Sequence, residues 1–205
     1  MKVILFFLFI LHSANANRCK SGHIVINGTR VEASAFKDCT DLTSVSMPEV
    51  TYIGDDAFEG CTALESVTMP KVTEIGNSTF YGCTALESVT MPKVTEIGVF
   101  AFQVCTKLTT VTMPKVTEIG EGAFLNTALV SVSMPKVTDI GVGAFKYCTA
   151  LTNVTMPNVE TIGAFAFLST ALVSVSMPKV TEIGNSTFYG CTALESVTMP
   201  KVTEI

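Results

Sequence analysis

Apolar residues recur along this chain in short pulses. Over residues 64–75 the apolar positions are Leu64, Val67, Met69, Val72 and Ile75, with Ser66, Thr68 and Thr73 between them. Alternation with a period of two is a strand signal. Val67 and Met69 therefore face a core while Ser66 and Thr68 face water. Pro70 ends the strand because it has no N–H to pair. Val72 and Ile75 form a second inward pair, and Gly76 permits the sharp turn that follows. Phe80 then plugs a corner, and Cys83 and Leu86 lead into the next copy. A unit this short cannot cover its own apolar edge, so it must stack on neighbours.

The neighbours are copies. A Met-Pro pair stands at Met47, Met69, Met91, Met113, Met134, Met156, Met177 and Met199, spaced by 21 or 22 residues, and these pairs hold all eight prolines. A fixed period in the twenties outranks any local helix or strand assignment and indicates a solenoid. The expected fold is a mainly β repeat solenoid of short strands and turns, with about eight repeats of 21–22 residues. At about 4.8 Å per coil this makes a rod roughly 40 Å long. Stacking turns each repeat position into a column, and Phe36, Phe58, Phe80, Phe102, Phe124, Phe145, Phe167 and Phe188 make the column expected to stabilise most. Two repeats are one residue short, at 125–127 and 168–170, and lack the cysteine of the others. These deletions fall at the corner after phenylalanine, where a turn absorbs them. Inside a strand they would flip every side chain to the wrong face.

The chain divides into three parts. Residues 1–16 read as a secretory signal: Lys2, an apolar run over 3–11, and the small-x-small cleavage pattern Ala14-Asn15-Ala16. The run is too short to cross a bilayer as a helix, which takes about 20 residues. Residues 17–34 are an N-terminal cap or degenerate repeat, in which Cys19 and Ile24-Val25-Ile26 take roughly the places of Cys61 and Val67-Thr68-Met69. Terminal repeats are commonly atypical because one face must close the core. Residues 35–205 are the solenoid. The segment 71–97 recurs unchanged as 179–205, and Ile205 falls in mid-repeat with no closing corner after it. The expectation from this is an open last coil that frays and associates end to end.

With these residues in view, the repeat resembles the BspA-like, or Treponema-type, leucine-rich repeat. Ile53-Gly54-Asp55-Asp56-Ala57-Phe58-Glu59-Gly60-Cys61 meets its pattern of Ile-Gly-x-x-Ala-Phe followed by Cys, as do several later repeats, over about 35–205. The chain departs from the commoner leucine-rich form, which places Asn or Cys where Val72 stands. The resemblance implies a leucine-rich-repeat coil in a secreted or cell-surface protein. It further implies roles in adhesion and host contact, and no catalysis.

Charge and candidate chemistry narrow the function further. The formal charge is −5, and arginine occurs only at Arg18 and Arg30. Nucleic-acid binding needs clustered cations to neutralise phosphates, so that class is set aside. His23 is the only histidine after the signal segment, which leaves no triad and no histidine metal site. No cofactor, metal or catalytic set emerges, and the chain is expected not to be an enzyme. Of seven cysteines the last six, from Cys39 to Cys191, are spaced by whole repeats, unlike a CxxC metal site. Side chains in a parallel ladder point the same way, so the repeat cysteines read as buried thiols acting as small hydrophobes. Cys19 with Cys39 is the pair best placed for a bridge in an oxidising compartment. Lysines (Lys71, Lys93, Lys115, Lys136, Lys179, Lys201) and acids (Glu74, Glu96, Glu118, Asp139, Glu182, Glu204) form two columns three residues apart. They read as solvated faces, each offsetting the other's like-charge repulsion.

The binding surface is sought on the outward strand positions Thr68, Thr90, Thr112, Ser133 and Thr155, or on the turn edge carrying Tyr81, Tyr147 and Tyr189. Ser and Thr together number 43 of 205 residues, so exposed hydroxyls are expected simply because threonine suits strands. Asn27, Asn77, Asn153 and Asn185 head N-x-Ser/Thr sequons that a glycosylating secretory pathway would use. The reading is a secreted or cell-surface repeat protein that binds a protein or glycan on a cell surface or matrix. Membrane association would come only through an anchor beyond the given C-terminus. The alternative is a structural or ice/crystal-binding repeat that uses the threonine columns, including Thr51, Thr73, Thr95, Thr117, Thr138 and Thr181. If the export reading holds, Edman sequencing of secreted protein begins at Asn17. Soluble cytosolic protein that keeps Met1 would refute it.

Overall fold

A computed structural model describes Cys19 and residues 22–202. The signal segment 1–16, and with it the expected cleavage site, lies outside the described residues. Each coil contributes one strand of three residues and one of two. The three-residue strands are β1 (His23–Val25), β3 (Ser44–Ser46), β5 (Ser66–Thr68), β7 (Ser88–Thr90), β9 (Thr110–Thr112), β11 (Ser131–Ser133), β13 (Asn153–Thr155), β15 (Ser174–Ser176) and β17 (Ser196–Thr198). The two-residue strands are β2 (Arg30–Val31), β4 (Tyr52–Ile53), β6 (Glu74–Ile75), β8 (Glu96–Ile97), β10 (Glu118–Ile119), β12 (Asp139–Ile140), β14 (Thr161–Ile162) and β16 (Glu182–Ile183). All pairing is parallel and in repeat register, so Val45 lies against Val67 and Ile75 against Ile97. The degenerate segment joins the same stack, with β1 pairing β3 and β2 pairing β4.

The two walls differ. The two-residue strands form one unbroken sheet of eight, from β2 to β16. The three-residue strands form a sheet of five, from β1 to β9, and then two separate pairs, β11–β13 and β15–β17. The breaks fall at the two one-residue deletions. In the full repeats a turn after cysteine closes through Leu108 N–H to Cys105 O at 2.9 Å, or Leu151 N–H to Cys148 O at 3.0 Å. The short repeats have one residue fewer between that corner and Leu129 or Leu172. Both leucines stay buried, and what is lost is the ladder to the preceding strand.

The core is a set of columns. Eight phenylalanine rings stack from Phe36 to Phe188 with centroids 5.2–5.7 Å apart and planes within 11° of parallel. Offset stacking of this kind adds about 0.5–1.5 kcal/mol per pair to the gain from burial. Met47 to Met177, Val50 to Val180 and Leu42 to Leu172 stack beside the rings and are buried. In the column of small residues beside phenylalanine, Thr79 and Thr187 stand where other coils have alanine. They are buried, and their hydroxyls donate to Gly76 O at 2.8 Å and Gly184 O at 2.7 Å.

Gly76 is needed for a reason other than the turn that its place in the sequence suggests. Left-handed backbone belongs to other glycines, such as Gly60 and Gly82. A Cβ on Gly54, Gly76, Gly98, Gly120, Gly141, Gly163 or Gly184 would instead stand 2.2–2.8 Å from backbone of the preceding coil. Side-chain Cβ atoms do not come that close to backbone, so this column has room only for glycine.

Cys19 and Cys39 are joined by a disulfide across a Cα separation of 4.9 Å, tying the first segment to the coil of Phe36. Cys61, Cys83, Cys105 and Cys148 are free and buried. Each points at the preceding coil, and its thiol donates to a phenylalanine carbonyl at 3.1–3.2 Å, as Cys83 does to Phe58 O. In the short repeats Thr127 and Thr170 take the cysteine's place, buried, each 3.2 Å from the sulfur of the next coil, Cys148 or Cys191. Burial pushes the Cys61 and Cys105 thiols from 9.0 to about 12, and it raises Cys83 and Cys148 as well.

Phe102→Ala should destabilise by about 3–5 kcal/mol, because it opens a cavity in a close-packed column. Thr112→Ala, on an exposed strand position, should change stability by less than about 0.5 kcal/mol. Chemical denaturation of both variants checks the assignment, and equal small effects would mean the ring column bears no load. The thiols make a second test. The raised folded values mean that the unfolded chain ionises first, so their contribution is complete below pH 9.0 and is lost as pH climbs towards about 12. A thiol-exchange dye should leave these four unmodified in the native protein and modify them in concentrated guanidinium chloride.

Candidate functional site

The unbroken sheet walls a groove of 710 Å³ that runs along the coils from Tyr52 to Gly184. Its floor follows from the glycine column, since residues without side chains leave the backbone bare between the strands and the turn edge. Its wall follows from register. Glu74 lies against Glu96, Glu96 against Glu118 and Glu118 against Asp139, with Thr161 and then Glu182 beyond. Asp55 lines it as well, and neither lysine nor arginine is among the lining residues. Asp55 is partly spent inside the fold, accepting from the Asn77 N–H at 2.7 Å, and Asn77 Oδ1 in turn accepts from Val99 N–H at 2.9 Å. Asp139 accepts from the hydroxyls of Thr138 and Thr161.

The lysine column does not offset these acids as its spacing suggests. Among the described residues the ion pairs are Lys37 with Glu59 at 2.9 Å and Asp56 at 3.8 Å, and Lys71 with Glu49 at 2.6 Å. Lys71 reaches back one coil to its own column instead of across to Glu74. Lys179 likewise donates to Asn158 at 2.7 Å. Lys71 and Lys179 thus reach along their own column, not across to the acids. Among the described residues the carboxylates of Glu74, Glu96, Glu118 and Glu182 therefore stand unpaired.

The outward positions Thr68, Thr90, Thr112, Ser133 and Thr155 lie on the other wall, exposed, and their hydroxyls have no hydrogen-bond partner among the described residues. The ladder break after β9 divides them, and that after β13 separates them from Ser176. The second threonine column is used internally: Thr51, Thr73, Thr95, Thr117, Thr138 and Thr181 each donate a hydroxyl to a carbonyl of the preceding coil at 3.1–3.4 Å. The three tyrosines are exposed but not gathered. Tyr81 and Tyr189 follow their core phenylalanines directly and stand five coils apart. Tyr147 stands one residue further along its turn. Asn27, Asn77, Asn153 and Asn185 are all exposed, Asn153 on β13, Asn77 and Asn185 in turns and Asn27 in the link between β1 and β2. The Thr79 and Thr187 hydroxyls of two sequons are buried.

The groove was not apparent from the sequence, although the Glu74 series was. What was missing is that Ile-Gly in every repeat removes the side chain beside the acid. On the turn edge the signal lay in the two variable places of Ile-Gly-x-x-Ala-Phe, where most repeats put Asp, Ser, Gly or Asn and two put phenylalanine, Phe100 and Phe165. Among the described residues no group of three or more His, Cys, Asp or Glu is placed to hold a metal ion.

The model of the BspA type leucine rich repeat region matches in six copies, over residues 29–150 and 117–205. A leucine rich cell surface protein of Faecalibacterium prausnitzii A2-165 superposes with a TM-score of 0.65 at 32% identity, covering 86% of this chain and 60% of that one. A leucine-rich repeat protein of Bacteroides ovatus gives 0.66 at 30% identity, over 86% and 57%. The T. pallidum leucine rich repeat protein gives 0.57 at 27% identity, over 84% and 78%. The chain thus spans about three fifths of the length of the first two. No curated protein sequence matches. Repeat pattern, parallel coil and similarity agree, and the chain belongs to the BspA-type leucine-rich-repeat family.

Proposed function

We propose that the chain is a secreted or cell-surface binding scaffold, not an enzyme, and that its groove takes an extended basic segment of a partner protein, serving adhesion or surface contact. The observation that carries this is the unpaired acid column. Like charges directly opposite one another lower the stability of a sheet, and no lysine offsets them here. The column costs the fold something and lies along a groove whose floor is kept bare by glycine. A neutral sugar would gain little from it and an acidic one would be repelled, which favours a cationic protein segment over a glycan. Surface location draws support from the signal-like start of the sequence and from the cell-surface description of the Faecalibacterium protein. The crystal-binding alternative draws less support, because the outer hydroxyl array is interrupted twice and the second threonine column has its hydroxyls turned to the backbone. Asn27 and Asn153 are the better glycan acceptors, since folding buries the hydroxyls that the sequons of Asn77 and Asn185 need.

A decalysine peptide titrated into the protein should bind saturably at low salt. Binding should weaken sharply as ionic strength rises, because screening shortens the reach of exposed charges to about 10 Å or less. The double variant Glu96→Lys, Glu118→Lys should reduce affinity by about tenfold or more, while Thr68→Ala with Thr90→Ala should leave it unchanged. Because Glu96→Gln relieves repulsion, it should hold or slightly raise the melting temperature. Equal peptide binding by the wild type and the charge-reversed variant would remove the groove from consideration.

A further inference from the structure

Every coil turns its corner through two residues at positive φ, one two places before the core phenylalanine and one two places after it. Left-handed backbone suits glycine, and asparagine and aspartate tolerate it, whereas bulky and β-branched side chains are rare there. Twelve of the sixteen such positions hold Gly, Asp, Asn or Ser. The other four are Phe100, Val104, Tyr147 and Phe165, with φ of 57–61°. All four belong to the coils of Phe102, Phe145 and Phe167. Phe165 and Tyr147 are 39% and 45% exposed, and Val142 beside them is 44% exposed. A ring held against the backbone preference and left in water helps neither the turn nor the core. Strain of this kind gathers where a surface has work to do.

With the intervening coil of Phe124, these coils form a step. The ring of Phe100 lies down over the next coil, where a Cβ on Gly122 would meet its Cδ1 at 2.5 Å. Gly143, one coil further, is bare: the Lys146 side chain is all that comes within 4 Å of where its Cβ would stand. Phe165 stands beyond, about three coil spacings or roughly 14 Å from Phe100 along the stack. Lys146 Nζ is 5.0 Å from the Tyr147 ring centre and 5.5 Å from that of Phe165, with no carboxylate at ion-pair distance. The backbone N–H groups along this edge are spent: Gly122 on Val142 O, Gly143 on Ala164 O, Tyr147 on Leu168 O and Phe165 on Asn185 O.

We propose that this edge, which borders the groove at Val142, is a second docking surface, for a protein segment with an apolar side chain next to a carboxylate. The apolar side chain packs on Gly143 between the rings of Phe100 and Phe165. The carboxylate pairs with Lys146, whose charge the two rings already position. A protein segment fits better than a sugar because the backbone donors are occupied. Sugar hydroxyls would lose water with few donors to replace it, while an apolar side chain loses nothing of the kind. The surface also differs in sign from the groove, so the two select partners of opposite charge.

Two probes test this on the folded full chain. One is 1-anilinonaphthalene-8-sulfonate, an aromatic body with one anionic group; the other is a heptapeptide library displayed on phage. Phe165→Asn and Lys146→Glu should each weaken dye binding by about tenfold. Selected peptides should pair an aliphatic or aromatic residue with Asp or Glu and should displace the dye. The melting temperature of Phe165→Asn should equal or exceed that of the wild type, because asparagine accepts the left-handed backbone. Glu96→Lys with Glu118→Lys should leave dye binding intact, which separates this surface from the groove. The proposal is overturned if the substitutions leave dye and peptide binding unchanged, or if Phe165→Asn lowers the melting temperature by several degrees, which would make the ring structural. It also falls if a concentration-dependent dimer is lost in Phe165→Asn, since the occupant is then a second copy. Displacement of the dye by sialylated or uronic oligosaccharides but by no selected peptide would equally overturn it.

Discussion

Coil-to-coil contact at strand spacing is the constraint on which the rest of this molecule depends. No coil has a closed core. Each ring of the phenylalanine column is covered by the rings above and below it, at 5.2–5.7 Å, and each Ile-Gly glycine sits so close to the preceding coil that a single methyl group would collide with backbone. The parallel hydrogen bonds, the thiol-to-carbonyl bonds and the threonine hydroxyls all run between coils. Stability in such a stack is close to a sum of neighbour interfaces, and here every class of interaction contributes to the same interface.

The same constraint dictates what the surface can be. Register places identical residues against each other, so any charged repeat position becomes a like-charged column whether or not that helps the fold. The Lys71 series spreads its charge over long exposed side chains and finds partners one coil back at Lys71 and Lys179. The Glu74 series has shorter side chains beside a bare glycine floor, and it forms an acidic wall that runs unbroken from Glu74 to Asp139 and resumes at Glu182 after Thr161. The two one-residue deletions show how much of this order is optional. The inner wall stays continuous through both of them, and the outer wall comes apart at each. Positions that repeat describe the scaffold, and positions that depart from the repeat, such as Phe100, Phe165 and Thr79, show where a coil does something of its own.

The sequence alone determined a good deal. Period, strand phase, the inward Val-Met and Val-Ile pairs, the phenylalanine column, the buried thiols and the family resemblance were all legible, because each depends on local alternation or on a spacing that repeats eight times. The Cys19–Cys39 bridge was legible as the best-placed pair. Other features were decided only in three dimensions. Gly76 reads locally as a turn residue, and only the neighbouring coil shows that its missing Cβ is what matters. The acid and lysine columns read as mutual partners three residues apart, but Lys71 and Lys179 reach back along their own column, and among the described residues the two columns do not meet. The three tyrosines share a motif neighbourhood, but one is offset by a residue and the other two stand five coils apart. The groove exists only because seven glycine-flanked strands align. Spacing along a chain fixes which residues share a column, whereas the direction in which a column faces, and what lies across from it, is set by coils that the local sequence does not contain.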